Sequence, residues 1–582
     1  MAAGNTMPKL LEPRSVNGLV ELYNPVRSMS IFSFFLSSLS NSIKPDFTNS
    51  NLLSVHRMAN DHQYRLPELD FVGFPDAGYS RQLDPVSLAG AFSKGISIDE
   101  INNYIQQFSR EVVSKAWDQI VQNHHVFTYA VDTGNVDIIK LCLEYGANVN
   151  YTDPVYTIYL LTLVIMRNWR LGRSHSKIVQ LLLSHGADPS TITGGKWQNY
   201  LEAPPHGFEN AIDLTTRYYL WQASRLKKRT ERMLQIAEAQ KMTSLLRLPY
   251  YIVGQELSVK LVIETVYAHM AQHTEKPLVL AFAGLSGHGK TELATQMGSL
   301  LSIPTITLDC THHSDQTSLL GIPPGYVNNH EGTPLNNFLV ENRERRCVVF
   351  LDEFDKTEID VQNALLKVMD DGTYRDRRGD WDFSELDCRK VIWILASNYG
   401  DDAVSRFHAK HLAQRKPEEA LKISIEPLQT ELEQLFAIRF SAAITGRIDE
   451  FVPFFPFNAG EVAVVAHKFL LDMQDDARRP VNKDSKQLIG RAEIRLEDDG
   501  EICTTLGKKS YKKELGARSI YKAVRRLRRD FVIKYSDTDE LVDDKMNSED
   551  LRQYVARVIR VPGGQEVTLF REGENKRKRE DE

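Results

Sequence analysis

Apolar and polar positions along the 582 residues change rhythm several times. Up to about residue 85, Ser, Asn and Pro recur without any sustained period, so no regular element is predicted there. From about Val86 to Thr243 apolar residues return at helical spacing. Ile138, Ile139, Leu141 and Leu143 form one such seam, and Ile178, Val179, Leu181 and Leu182 form another. Gln222 to Met242, rich in Lys, Arg, Glu and Gln, reads as a long exposed helix. Beyond Leu278 short apolar runs alternate with helical stretches, the pattern of a parallel α/β sheet.

The two helical seams sit inside a repeat. The stretch from Thr128 to Asn150 is echoed by Lys177 to Ser190, and their Gly-Ala-Asn and Gly-Ala-Asp endings start at Gly146 and Gly186. This resembles ankyrin repeats, whose period is about 33 residues, with a short insertion near Trp169–His175. Asn210-Ala-Ile-Asp-Leu214 resembles the opening of a third. Glycine suits the left-handed residue that ends such a helix. One unit cannot bury its own face, so the units must stack, and stacked repeats offer an extended surface to a protein partner.

Composition narrows the classes. The length allows two to four domains, and 42% apolar with 25% charged residues is ordinary for a soluble protein. A formal charge of −6 supplies no global basic field for nucleic acid. Five scattered cysteines without C-x-x-C spacing fit a reducing compartment and argue against zinc. No apolar run reaches the ~20 residues of a membrane span, so no membrane association is expected and the cytoplasm is the expected location. Met29–Leu39, preceded by Lys9, Arg14 and Arg27, keeps mitochondrial import as an alternative, although Glu12 and Glu21 spoil the acid-poor pattern of a transit peptide. The run Lys576-Arg-Lys-Arg579 gives a weaker nuclear alternative.

The candidate chemistry lies in the α/β part. Pro277–Gly284 reads as a buried strand opening into Gly284-Leu285-Ser286-Gly287-His288-Gly289-Lys290-Thr291, a phosphate loop. Its glycines let backbone amides wrap phosphates, Lys290 reaches the outer oxygens and Thr291 ligates magnesium. Cys347–Glu353 is a second apolar strand ending in two acids. Asp352 would hold Mg2+, and Glu353 would orient and polarise an attacking water. Val391–Asn398 is a third, placing Asn398 between that water and the terminal phosphate. Three strand ends converging in this way point to ATP with Mg2+.

Further motifs carry a family resemblance. Leu319-Leu-Gly-Ile-Pro-Pro-Gly-Tyr-Val327, Asp370-Asp-Gly372, Gly446-Arg-Ile-Asp-Glu450 and Gly516-Ala-Arg518 occur in the order seen in the second ATPase domain of Clp unfoldases, ClpB above all. The combination with ankyrin repeats is similar to the mitochondrial ankyrin-bearing relative of ClpB. The resemblance spans about Pro249 to Arg529. It implies an α/β AAA+ P-loop domain with a C-terminal lid, preceded by an all-α ankyrin domain: a tail to 85, repeats over 86–245, the large ATPase domain over 246–455, the lid over 456–570 and a charged tail over 571–582. It implies a homo-oligomeric ring, a hexamer, that hydrolyses ATP to thread unfolded or aggregated proteins.

The same resemblance assigns Val253, in Val253-Gly-Gln255, to the adenine side, and Tyr326 with Val327 to a substrate-gripping pore loop. It makes Arg447 an arginine finger, with Arg439 as a rival because Gly446 replaces the usual Asn, and Arg518 a second sensor of nucleotide state. No Ile-Gly-Phe or Ile-Gly-Leu tripeptide occurs in Asp401–Phe440, so no Clp peptidase partner is expected. Two other readings stand beside this one. Arg525-Arg-Leu-Arg-Arg529 gives footing to a nucleic-acid remodeller, and the repeats to an ankyrin scaffold with a nucleotide switch. Every expected phosphate contact lies beyond residue 245, so residues 1–245 are expected to be dispensable for basal hydrolysis.

Overall fold

In the computed structural model the described residues are 66–75, 83–170, 174–193, 199–203, 212–272, 276–313, 315–322, 331–378, 385–482, 484–537 and 551–572. Met29–Leu39, Tyr326, Val327 and Lys576–Arg579 lie outside them. The chain forms two compact units, residues 1–133 with 151–160, and residues 134–150 with 161–582.

The first unit is helical. Helices Pro85–Lys94, Ile98–Ile105 and Arg110–Trp117 start at Asp84, Ser97 and Ser109, whose side chains cap the first free amides. Leu88, Phe92, Trp117 and Phe127 are buried between them and the helix Val126–Asp132. Two buried polar contacts brace this core, His124 to Asp153 at 3.0 Å and Thr128 to Tyr151 at 2.7 Å. Residues 66–75, expected to carry no structure, are indeed without helix or strand but not loose, since Phe74 stacks on Tyr104 at 4.2 Å.

The second unit opens with the repeat helices Val136–Glu144 and Ser176–Ser184. Both end identically. Gly146 (φ 88°) and Gly186 (φ 92°) donate to Leu143 and Leu183, and Ala147 and Ala187 donate to Cys142 and Leu182, every bond being 3.0 Å. Asn150 ties one end to the other, its amide donating to the Gly186 carbonyl and its oxygen accepting the Asp188 amide. The long exposed helix expected over Gln222–Met242 is absent. Helix Leu214–Arg225 stops where Leu226 turns extended, and a new helix, Glu231–Ala239, restarts after the Thr230 cap. Gln222 is buried, because the first of these helices packs on the protein instead of bridging through solvent.

The centre is a five-stranded parallel sheet. Its strands are β1 (Leu278–Gly284), β2 (Thr305–Asp309), β3 (Cys347–Asp352), β4 (Val391–Ser397) and β5 (Glu450–Phe454), in spatial order β2-β3-β4-β1-β5. β1 and β4 are buried along their full length, as parallel strands covered on both faces must be. Phe350, Phe282 and Ile394 fill one face, and Leu351, Trp393 and Phe436 the other. The register pairs Ala283 with Ser397, Gly284 with Phe454 and Asp309 with Asp352, so the carboxyl ends of the strands share one edge. Beyond Phe454 come helices Ala459–Arg478, Asp499–Ser510 and Ala517–Ser536 with a small sheet of β6 (Ala492–Leu496), β7 (Arg552–Val561) and β8 (Gly564–Arg571).

Candidate nucleotide site

The loop after β1 can turn only because of its glycines. Gly284 (φ 143°) would set a side chain 2.5 Å from the Phe454 carbonyl, and Gly287 (φ 75°) would set one 2.4 Å from that of Leu515. Gly289 (φ 98°) begins helix Lys290–Leu301, which no side chain caps, and the space beside it is open. An uncapped 12-residue helix leaves its first amides free for an anion.

Lys290 is 7% exposed and donates to the Gly284 carbonyl at 2.6 Å and to Asn398 Oδ1 at 2.7 Å. Burial lowers its pKa to about 8 against the pull of Asp352, Glu353 and Asp355. Asn398 also donates to the Glu353 carboxylate at 3.1 Å, so one amide spans the lysine and the second acid. Glu353 sits in the left-handed region (φ 51°), an outlier of the kind found at functional turns. Thr291 Oγ1 lies 3.4 Å from Asp352 Oδ2, which puts two hard oxygen ligands near a common point, a donor set suited to magnesium.

Arg518 reaches the loop, donating to Ser286 at 2.9 Å. Arg447 does not. It donates to the carbonyls of Leu366 and Ala443 and pairs with Asp370 at 3.2 Å. Arg439 binds the Asp355 carbonyl, on the other side of a kink at Ser441 (φ 76°) within helix Glu426–Thr445. Val253 is buried in the turn before helix Glu256–Ala271. That turn is fixed to the end of β5 by Gln255, which exchanges two hydrogen bonds with the Phe455 backbone. Leu285 and His288 are buried. The His288 side chain faces the C-terminal helices, meeting Tyr511 at 3.1 Å and Phe457 ring to ring at 5.0 Å. Burial pushes its pKa down to about 4.

Sequence reasoning missed Asp355. It is buried and accepts from Ser397 at 3.0 Å and from the Asn398 amide at 3.2 Å, fixing the residue that bridges Lys290 and Glu353. Burial alone would raise its pKa, but bonds from Lys356, Asn398 and Ser397 outweigh that and hold it low. Two residues past Glu353, it follows the pair of acids that drew attention first.

Comparison with known proteins gives this geometry relatives. Residues 276–451 match the model for an AAA domain (Cdc48 subfamily), and residues 125–154 match that for an ankyrin repeat. A ClpA homolog protein from Fuscovulum blasticum is 28% identical over 47% of this chain and 31% of its own length. A chaperone protein ClpB from Chlamydia caviae is 27% identical over 47% and 30%. A mitochondrial disaggregase from Homo sapiens is 31% identical over 48% and 41%. The chain thus spans less than a third of the length of the first two relatives and well under half of the last. A solved structure of Hsp104 with ATPγS and FITC-casein covers 82% of this chain and 72% of that one, at 18% identity and a TM-score of 0.42. Phosphate loop, acid-tipped β3 and sheet order give residues 276–451 the build of a nucleotide-binding AAA domain similar to that of the ClpB and disaggregase relatives, in a chain that also matches an ankyrin repeat.

Proposed function

We propose that this chain is an ATP-dependent protein unfoldase or disaggregase, working as a homo-oligomeric ring, a hexamer, that threads unfolded or aggregated polypeptides. The observation that carries the hydrolytic half is the Lys290–Asn398–Glu353 relay at the open end of β1, β3 and β4. The loop amides and Lys290 would hold the phosphates, and Thr291 with Asp352 would hold Mg2+, which would supply neutralising charge to the phosphate oxygens. Glu353 orients and deprotonates the attacking water, while Asn398 fixes its carboxylate. Arg518 reads nucleotide state from the lid. Arg447 serves as the finger on the family resemblance, and to reach a neighbouring subunit's nucleotide it must release its own-chain bonds to Leu366, Ala443 and Asp370.

The threading half rests on the ClpB and disaggregase relatives and on Tyr326 with Val327 as the gripping loop. The domains are assigned as repeats over 86–245, large ATPase domain over 246–455 and lid over 456–570, with the repeats recruiting a protein partner. Among the described residues no helix is long and apolar enough to cross a membrane. The names of the disaggregase relatives favour mitochondria over the cytoplasm.

The test compares ATPase stimulation by unfolded casein and by single-stranded DNA, with Tyr326→Ala beside the wild type. Casein should stimulate the wild type and DNA should not. Tyr326→Ala should keep basal ATPase and lose refolding of aggregated luciferase. Full rescue of luciferase by a normally melting Tyr326→Ala protein sinks the threading mechanism.

A further inference from the structure

The turn that bears Val253 is built from two successive left-handed residues, Gly254 (φ 66°) and Gln255 (φ 55°). Such a turn needs outside support, because its amides cannot join the helix that follows and a non-glycine residue is uncommon at positive φ. One side is supplied by β5. Gln255 is paired with the Phe455 backbone, and Ser258 donates to the Pro453 carbonyl at 2.5 Å.

The other side comes from far upstream. The Gly254 amide donates to the Tyr218 hydroxyl at 2.9 Å, and Tyr218 is 1% exposed. Its ring packs in a three-ring cluster with Tyr200, at 5.2 Å, and Trp221, at 5.8 Å. The helix that carries it, Leu214–Arg225, is in turn fixed to the C-terminal helices. Arg217 pairs with Asp499 at 2.7 Å, the Leu214 amide donates to the same carboxylate at 2.7 Å, and Thr215 meets His467 at 2.7 Å. A side chain on Gly254 would collide with the Glu461 carboxyl group at 2.7 Å, so the turn, the lid helix Ala459–Arg478 and Tyr218 meet at one point.

We infer that Tyr218, a residue of the repeat region, is a positioning residue for the nucleotide site, fixing the Val253–Gln255 turn against β5 and the lid. The inference rests on the proposed nucleotide reading, in which Val253 faces the adenine. It makes helix Leu214–Arg225 part of the ATPase and not an appended module.

The experiment uses the full chain with Tyr218→Phe, which keeps the ring and removes only the acceptor. Tyr219→Phe serves as control, since its hydroxyl meets Lys468 and not the turn. Equilibrium binding of a fluorescent ATP analogue is measured first, followed by KM, kcat and thermal melting. Tyr218→Phe should weaken binding and raise KM roughly three- to tenfold, the effect of one buried hydrogen bond, with kcat within about twofold and melting close to wild type. Tyr219→Phe should leave binding unchanged. A purely structural tyrosine would lower the melting temperature of Tyr218→Phe without changing its affinity, and that outcome overturns the inference, as does unchanged affinity with unchanged melting. Wild-type protein that binds no analogue overturns the nucleotide reading itself, and the inference falls with it.

Discussion

The phosphate loop and the seam between helix Leu214–Arg225 and the C-terminal helices both bury charge, yet they are assembled from sequence in different ways. At the loop, Lys290 is served by carbonyls five and six positions away and by the ends of two neighbouring strands. At the seam, Arg217 finds its carboxylate 282 positions downstream. Local chemistry leaves a spacing that can be recognised, whereas long-range chemistry leaves single residues that look like surface charges. In the proposed function the loop serves a reaction and the seam holds an architecture, so perturbing each should affect different observables.

The largest expected effect sharpens that distinction. Glu353→Gln keeps the shape of the side chain and the Asn398 contact but removes the base. ATP hydrolysis should fall ~10²–10⁴-fold, with nucleotide binding and melting temperature retained. Hydrolysis at the wild-type rate would remove Glu353 from the chemistry.

How far the molecule could be read beforehand follows the same division. The strand tips bearing Gly284, Asp352 and Asn398 were legible because an apolar run ending in a polar residue announces a strand end at a sheet edge. The two Gly-Ala endings were legible because a helix stop at Gly146 and Gly186 repeats its own hydrogen bonds. Asp355 was not, since its partners Ser397 and Asn398 are contributed by another strand. The break at Leu226 was missed because helix-forming residues continue through it, and only the Thr230 cap marks the restart. The expectation that residues 1–245 are dispensable for basal hydrolysis counted phosphate contacts alone. Deleting these residues would also remove Tyr218, Arg217 and Thr215 from their partners Gly254, Asp499 and His467.

The second prediction tests the seam. Arg217 is 1% exposed, so Arg217→Met leaves the Asp499 carboxylate without its cation and with only the Leu214 amide as donor. Removing one partner of a buried pair costs about 3–5 kcal/mol, and the urea midpoint should fall accordingly. Adding Asp499→Leu to Arg217→Met should recover much of the loss, because the stranded charge is then gone. If Arg217→Met unfolds at the wild-type urea concentration, the seam contributes little and the two regions are not comparable supports.

The smallest expected effect lies where the two regions meet, at His288. It belongs to the phosphate loop by sequence, but its ring is packed against Phe457 and Tyr511. Burial holds it neutral, with a pKa of about 4, while in the unfolded chain a histidine titrates near ~6.5. Between those values the unfolded state binds the extra proton, so stability rises with pH across this window and is lost as pH falls through it. Near pH 5 the loss from this one group should be about 2 kcal/mol. Other histidines and carboxylates titrate over the same range, so the wild-type pH profile alone cannot isolate it. The informative quantity is the difference in unfolding free energy between wild type and His288→Gln, in which the shared titrations cancel. At pH 8 the wild type should be the more stable, through the ring contacts that glutamine cannot make. By pH 5 that advantage should shrink by about 2 kcal/mol, because only the wild type must accept a proton to unfold. An advantage that stays constant from pH 8 to pH 5 would mean that the ring is solvated and titrates alike in the folded and unfolded chain. The phosphate loop would then not be clamped to the lid through this histidine.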